Sequence, residues 1–286
     1  MKIIIILFTL LFSLPSFSQG DLFKDGEIKL IKLDLSGVNE KNISDFKVKI
    51  FNLNFPVFFG PEPEKMIFSI IASPLGAVKG DYPLVVFNKE KQILNFNVSL
   101  SPRDVLKTEE ILYAQDFNVL PQDAETVKRA ATEDLELKDM LKVSSPNKLW
   151  LNHFITPVKM KINSEFGLYR VYSKHLRRRT HWGVDYHTPI GTKVKASAEG
   201  KVVLAKEFYF PGKTVLIDHG QGLYTGYSHL SKMDVKVGET VKQGQIIGRS
   251  GVSGKVTGPH LHWFAVNSRV KIDPLTLTKI NLKKIR

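Results

Sequence analysis

Between Gly26 and Ser101, apolar and polar residues alternate in short runs, with Phe46, Val48 and Ile50 in one and Leu94, Phe96, Val98 and Leu100 in another. A strand turns successive side chains to opposite faces, so this period of two predicts half-buried β-strands. The runs EIKLIKLDL, FKVKIFNLN, MIFSIIAS, YPLVVFN and ILNFNVSL recur at the spacing of a small sandwich, and region 21–104 reads as an Ig-like β-sandwich. The period changes after Pro121. Val127, Ala130, Ala131, Leu135 and Leu141 stand at roughly helical intervals among good helix formers, predicting a helix from 121 to 141 within a partly helical linker, 105–149, packed on a neighbour. Ser144, Ser145 and Pro146 break it, and Trp150 and Phe154 are expected to open the core of a second domain, 150–286. From Ile162 onward glycine-punctuated β-rich segments return with no helix-length run between them. Parallel βαβ units are thereby disfavoured, and the expected fold is mainly β, ending in an antiparallel sheet with a groove.

The first twenty residues follow none of these patterns. Lys2, an apolar run from Ile3 to Phe12, a proline and the small residues Ser16 and Ser18 form a secretory signal, 1–18, cleaved after Ser18. The run is shorter than the roughly 20 residues a membrane span needs, so no stable membrane insertion is expected after its removal. The mature chain is expected in the periplasm or exported to the cell envelope. It contains no cysteine, which excludes disulfides, a thiol nucleophile and lipid attachment through Cys. A formal charge of +13 suits an anionic polymer; export argues against nucleic acid and leaves a membrane surface or a cell-wall polymer.

All eight histidines lie in the second half of the chain, so histidine chemistry is confined there. RRRTHWGVDYHTP carries His181 and Asp185 four apart, and GPHLHW carries His260 and His262 two apart. On extended strands even spacings share a face, and two histidines with a carboxylate form a ligand set that zinc hydrolases use. His153, His175 and His219 read as non-ligands; His219 sits in the turn signal Asp218-His219-Gly220. His187 follows Asp185 by two, but Thr188-Pro189 turns the chain at once. His229 lies two beyond Tyr227 in TGYSHL and is expected to face the same side. Beside a metal site an unligated imidazole is a candidate for proton transfer, and His260 has the same candidacy, because both members of a His-x-His pair need not bind the ion. Other chemistries fail. Gly212-Lys213-Thr214 lacks the leading glycine of a phosphate loop, Glu207 standing there; Ser253 lacks the spacing of a nucleophile elbow; there is no His-Glu-x-x-His helix.

The motifs come in a fixed order: His181-x-Gly183-x-Asp185, Pro189-x-Gly191-Thr192-x-Val194-x-Ala196, Gly200-x-Val202, Asp218-His219-Gly220, Tyr227-x-His229-Leu230, Gly244-x-x-Ile247-Gly248, and Gly258-Pro259-His260-Leu261-His262. From Ser164 to Pro274 the chain resembles the lysostaphin/LytM family of zinc metallopeptidases, and Glu165-Phe166-Gly167 with Arg170 resembles that family's opening strand. The resemblance implies that His181, Asp185 and His262 hold Zn²⁺ and that His229 and His260 are unligated and catalytic. It also implies a narrow groove in an antiparallel sheet, and peptidoglycan cross-links as substrate. Phe264, His187 and Lys193 depart from the family's usual residues at positions that support the ligands or shape the groove. The expected protein is an exported zinc endopeptidase cutting peptide cross-links of peptidoglycan. Its rivals are a catalytically silent regulator of other wall hydrolases and a metallopeptidase acting on proteins. The N-terminal region is expected to inhibit the groove, to dock, or only to space.

Overall fold

The computed structural model describes residues 23–35, 38–39, 41–60, 66–103, 108–111, 123–151, 153–172 and 177–282. Residues 1–18, expected to be a signal, and His175 lie outside the described residues.

The alternating runs at the N-terminal end fold into one seven-stranded sheet, ordered Phe23–Lys24, Lys91–Ser101, Gly80–Asn88, Phe46–Ile50, Leu53–Phe59, Ile67–Ala72, Ile28–Leu33. Leu53–Phe59 joins its halves: Leu53 to Pro56 pair with Phe46–Ile50, and Val57 to Phe59 pair with Ile67–Ala72. One expected run is split. FKVKIFNLN turns at Phe51 and Asn52, both in the left-handed region at φ 55° and 58°, as a two-residue hairpin requires. Phe51 gives no turn signal in the sequence. Its ring packs 4.6 Å from that of Tyr82, which holds a conformation that glycine or asparagine would adopt more readily.

Helix Ala124–Met140 forms within the expected stretch, starting where the Asp123 carboxylate accepts a hydrogen bond from the Thr126 amide at 2.7 Å. Leu137 and Met140 pack on Leu204, Phe208 and Tyr224, while Val127 and Leu135 stay exposed, so the helix uses one narrow stripe against the following domain.

Beyond it lies a ten-stranded sheet with the main order Thr240–Val241, Gly200–Phe208, Gly212–Asp218, Leu223–Met233, His260–Asn267, Val184–His187, Ile162–Ser164. Its pairings are antiparallel, as the absence of helix-length runs predicts. A separate three-stranded sheet sets Tyr169–Tyr172 between Arg177–Thr180 and Thr108–Ile111, the last running parallel.

Trp150 and Phe154 are buried as expected, but not in a core private to the second domain. They join one apolar cluster with Phe58 and Phe68 of the N-terminal sheet and Leu223 and Ile272 of the C-terminal one, the Phe58 and Trp150 rings meeting at 5.9 Å. Two hydrogen bonds cross the same junction, from Gln221 to the Val57 carbonyl at 3.1 Å and from Asn267 to the Ile70 carbonyl at 2.8 Å. A shared core of this kind fixes the two halves against each other.

His219 lines this region. Its Nδ1–H donates to the Glu199 carbonyl at 2.7 Å, which leaves Nε2 to accept from the Thr225 hydroxyl at 2.7 Å. Desolvation pushes the imidazole from 6.5 to about 4. Below pH 6.5 the unfolded chain therefore binds a proton that the folded chain refuses until about pH 4, and stability falls as the pH falls through that window. The full loss is roughly 3 kcal/mol. His219→Gln is expected to flatten the decline of melting temperature between pH 6.5 and 4; a slope equal to that of the parent would contradict a buried neutral imidazole at this position.

Candidate metal centre

The antiparallel pairing of Val184–His187 with His260–Asn267 sets Asp185 directly opposite His262 and His187 opposite His260. Opposed residues bring their Cβ atoms within about 5 Å, so register alone delivers the carboxylate to one imidazole. His181 arrives differently. It lies just past the end of Arg177–Thr180, and Trp182 and Gly183 bend the chain before Val184. The strand alternation expected to align His181 with Asp185 therefore does not apply; the bend brings them together. A Cβ at Gly183 would lie 2.6 Å from both His262 Cε1 and the Trp263 carbonyl oxygen, so only glycine lets the bend lie against the ligand-bearing strand.

The three side chains converge on one point. His181 Nε2 lies 3.0 Å from Asp185 Oδ1, His262 Nδ1 lies 2.7 Å from the same oxygen, and the two nitrogens are 3.1 Å apart. Ligand atoms about 2.0–2.1 Å from one tetrahedral zinc would be about 3.3 Å from each other, so this donor set fits that ion in kind and, at 2.7–3.1 Å, is drawn somewhat tighter than that spacing. Among the described residues it is the group of His, Cys, Asp or Glu able to hold a metal. His181 and Asp185 are buried, and His262 is partly so.

Each member is oriented from outside. His181 donates from Nδ1 to the Glu165 carbonyl at 2.8 Å, which turns the lone pair of Nε2 inward. Arg170 donates from Nη2 to Asp185 Oδ2 at 2.6 Å and to Ser164 Oγ at 2.8 Å, so one carboxylate oxygen is held while Oδ1 faces the histidines. Desolvation opposes ionisation of Asp185, but the neighbouring His181 and His262 outweigh it and hold the carboxyl well below its usual range. Desolvation, against the pull of Asp185, lowers His262. An ionised carboxylate among neutral imidazoles is the protonation state that binds a cation.

The other two histidines lie beside this group. The His229 ring centre is 4.7 Å from that of His260 and 6.0 Å from that of His262, and His260 Nε2 is 3.9 Å from Asp185 Oδ1. His229 donates from Nδ1 to the Ser253 carbonyl at 3.0 Å, and His260 from Nδ1 to the Gly258 carbonyl at 2.8 Å, so in both Nε2 is the basic nitrogen. Desolvation, then the neighbouring His260 and His262, push His229 down to about 3. The expectation that His229 shares the face of Tyr227 is corrected. Tyr227 is buried with its hydroxyl on Ser197, whereas His229 sits in the left-handed region at φ 62°, where the pairing with Gly212–Asp218 shifts register. That kink re-aims the imidazole.

His187 is exposed, and His153 and His219 lie elsewhere in the fold. The resemblance singled out Arg170 but gave it no partner, since it meets Asp185, 15 positions on, only through the folding of the hairpin that carries it. Phe264 stacks 5.8 Å from His262, its ring lying where a Cβ on Gly226 would come within 2.0 Å of it. The departure at Phe264 thus places an apolar wall beside a ligand, and Gly226 makes room for it.

Residues 179–274 match the model of Peptidase family M23. The chain is 41% identical over 124 residues to peptidoglycan DD-endopeptidase ShyA of Vibrio cholerae, covering 43% of this chain and 28% of that protein. It is 38% identical over 120 residues to DD-carboxypeptidase/endopeptidase Mpg of Neisseria meningitidis, covering 42% of this chain and 27% of the relative. The matches thus span less than a third of the length of these relatives. A crystal structure of a putative peptidase M23 from Pseudomonas aeruginosa aligns with a TM-score of 0.69 at 26% identity, over 89% of this chain and 94% of that one, so the likeness runs through the N-terminal sheet as well. Residues 179–274, which carry the convergent His181, Asp185 and His262, are a peptidase family M23 domain.

Proposed function

We propose that this chain is an exported zinc endopeptidase that hydrolyses peptide cross-links of peptidoglycan. The observation that carries the reading is the convergence of His181, Asp185 and His262 with two further imidazoles alongside. A zinc ion held by these three residues would supply a Lewis acid that polarises the scissile carbonyl and acidifies water. The remaining work falls to the protein. Arg170 holds Oδ2 of Asp185 and Glu165 holds Nδ1 of His181, so the ligands are set before substrate arrives. His229 stays neutral well below physiological pH, and its Nε2 is available to take a proton; His260 presents the second Nε2 for the developing oxyanion or for the same proton. The names of ShyA and Mpg support a DD-type cross-link as the bond cut.

Digestion of purified cell-wall sacculi, followed by mass spectrometry of the muropeptides, tests this. Cross-linked dimers are expected to become monomers, the reaction to stop with a chelator and to return with zinc. Dimers left intact would favour the silent regulator, and cleavage of proteins with the wall untouched would favour the protein peptidase.

The signal at 1–18 supports a periplasmic or exported location, and among the described residues no helix is long and apolar enough to cross a membrane. The Ig-like reading of 21–104 rests on strand order: the second, fourth and fifth strands lie together, as do the third, sixth and seventh, as in that sandwich. Division at 105–149 and 150–286 follows the helix and the sheet beyond it. Pairing of Thr108–Ile111 with Tyr169–Tyr172, on the hairpin that carries Arg170, supports intramolecular inhibition by the linker. Replacing 104–122 by a Gly/Ser linker of equal length would then raise the rate of muropeptide release, and an unchanged rate would remove that role.

A further inference from the structure

The turn that holds His181 is itself held from the other half of the molecule. After strand Ile162–Ser164, the Glu165 carbonyl accepts from His181 Nδ1 at 2.8 Å. The next carbonyl, of Phe166, accepts from Arg103 Nη1 at 3.3 Å. The turn then closes on the ligand's backbone, Gly167 N donating to the His181 carbonyl and His181 N to the Leu168 carbonyl, both at 2.8 Å. Consecutive carbonyls thus face a metal-binding imidazole and an arginine contributed by the end of the N-terminal sheet.

Arg103 is itself fixed at several points. Its amide donates to Asp25 Oδ1 at 2.6 Å, its Nε to the Asp25 carbonyl at 3.0 Å, and its Nη2 to Asp273 Oδ2 at 2.5 Å. Asp25 is 3% exposed, and its other carboxylate oxygen accepts from the Gly76 amide at 2.7 Å. The guanidinium lies 5.3 Å over the Phe166 ring, whose edge meets Trp182, the residue after His181, at 5.9 Å. The Asp25-Gly26 turn fits against the same ring only because position 26 is glycine: at φ 72°, a Cβ there would lie 2.8 Å from Phe166 Cε1. A planar fork with five donors can satisfy the Asp25 carbonyl, the Phe166 carbonyl and Asp273 together, which an ammonium cannot.

We propose that Arg103 is a positioning residue for the metal centre, fixing through Phe166 the turn whose Glu165 carbonyl orients His181. The N-terminal half then completes the support of the metal site instead of merely spacing or covering it. The inference rests on zinc binding by His181, Asp185 and His262.

The test uses the full chain. Zinc release to a chelator is followed for the parent, Arg103→Ala and Arg103→Lys, and visible absorption is recorded after Co²⁺ substitution. Loss of a partner of a metal-bound histidine weakens metal binding about 10–100-fold; one step further out, Arg103→Ala is expected to speed zinc release about tenfold and shift the Co²⁺ bands, with Arg103→Lys between it and the parent. A lower melting temperature with parental release and spectrum would make Arg103 purely structural and overturn the proposal. Should Arg103→Ala fail to fold, Arg103→Lys decides: shifted release and spectrum support the role, and parental values overturn it. A parent that holds no zinc would overturn the metal assignment, a failure distinct from that of Arg103 alone.

Discussion

Replacing His181 or Asp185 by alanine is expected to strip zinc from the purified protein and to abolish muropeptide cleavage. Loss of an outer partner of a metal ligand alone costs about 10–100-fold in affinity, so loss of a ligand from a set of three costs more. Asp185 has the larger expected effect. It is the sole anion in the group, both imidazole nitrogens lie within 3.0 Å of its Oδ1, and Arg170 is aimed at its Oδ2. Without the carboxylate, two imidazoles and a guanidinium face one another, and Arg170 loses the buried oxygen that accepts from its Nη2. Asp185→Asn keeps the shape and an acceptor for Arg170 while removing the charge; it separates loss of metal from loss of packing. Metal content by atomic absorption, measured beside melting temperature and cleavage, checks this. A folded Asp185→Ala protein with stoichiometric zinc and parental cleavage would refute the ligand set.

How far the sequence revealed this site depended on how regular the backbone stayed. The spacing of His260 and His262 was legible because His260–Asn267 is an unbroken strand, on which alternation holds. The same reasoning fails for His181 and Asp185, which a bend at Gly183 joins, and for Tyr227 and His229, because His229 is itself left-handed. His181 and Asp185 do lie together, by a bend and not by alternation. Register stayed hidden: that Asp185 faces His262 across a strand pair follows from how segments 77 residues apart align, which neither segment encodes by itself. The N-terminal strands were legible from period two, save at Phe51-Asn52, where aromatic packing on Tyr82 takes the place of a glycine. Trp150 and Phe154 announced burial but not their partner, because apolarity states that a side chain is buried and not against what. Arg103 and Asp273, 170 residues apart, lay beyond any reading of local pattern.

His229→Ala is expected to keep zinc and lose cleavage, about 10²–10⁴-fold, the contribution of a positioned general acid or base. The ring has no place in the donor set: its Nδ1 is committed to the Ser253 carbonyl, and it meets the ligands by packing beside His262 at 6.0 Å between ring centres. Its backbone sets a further condition. At φ 62° a residue with a Cβ is strained, and the amide is tied to the Pro211 carbonyl at 2.9 Å, so the fold holds this position against local preference to aim the imidazole. Asparagine tolerates the left-handed region better than alanine, and glycine tolerates it best. The series His229→Ala, His229→Asn, His229→Gly should therefore rise in melting temperature while all three remain equally inactive and equally loaded with zinc. Stability and activity come apart along it because strain acts on the backbone and catalysis on the ring. Calorimetry, metal analysis and muropeptide release on the three proteins decide the matter. Zinc lost together with activity would make His229 a support of the metal centre, and cleavage retained in the glycine variant would remove it from the reaction.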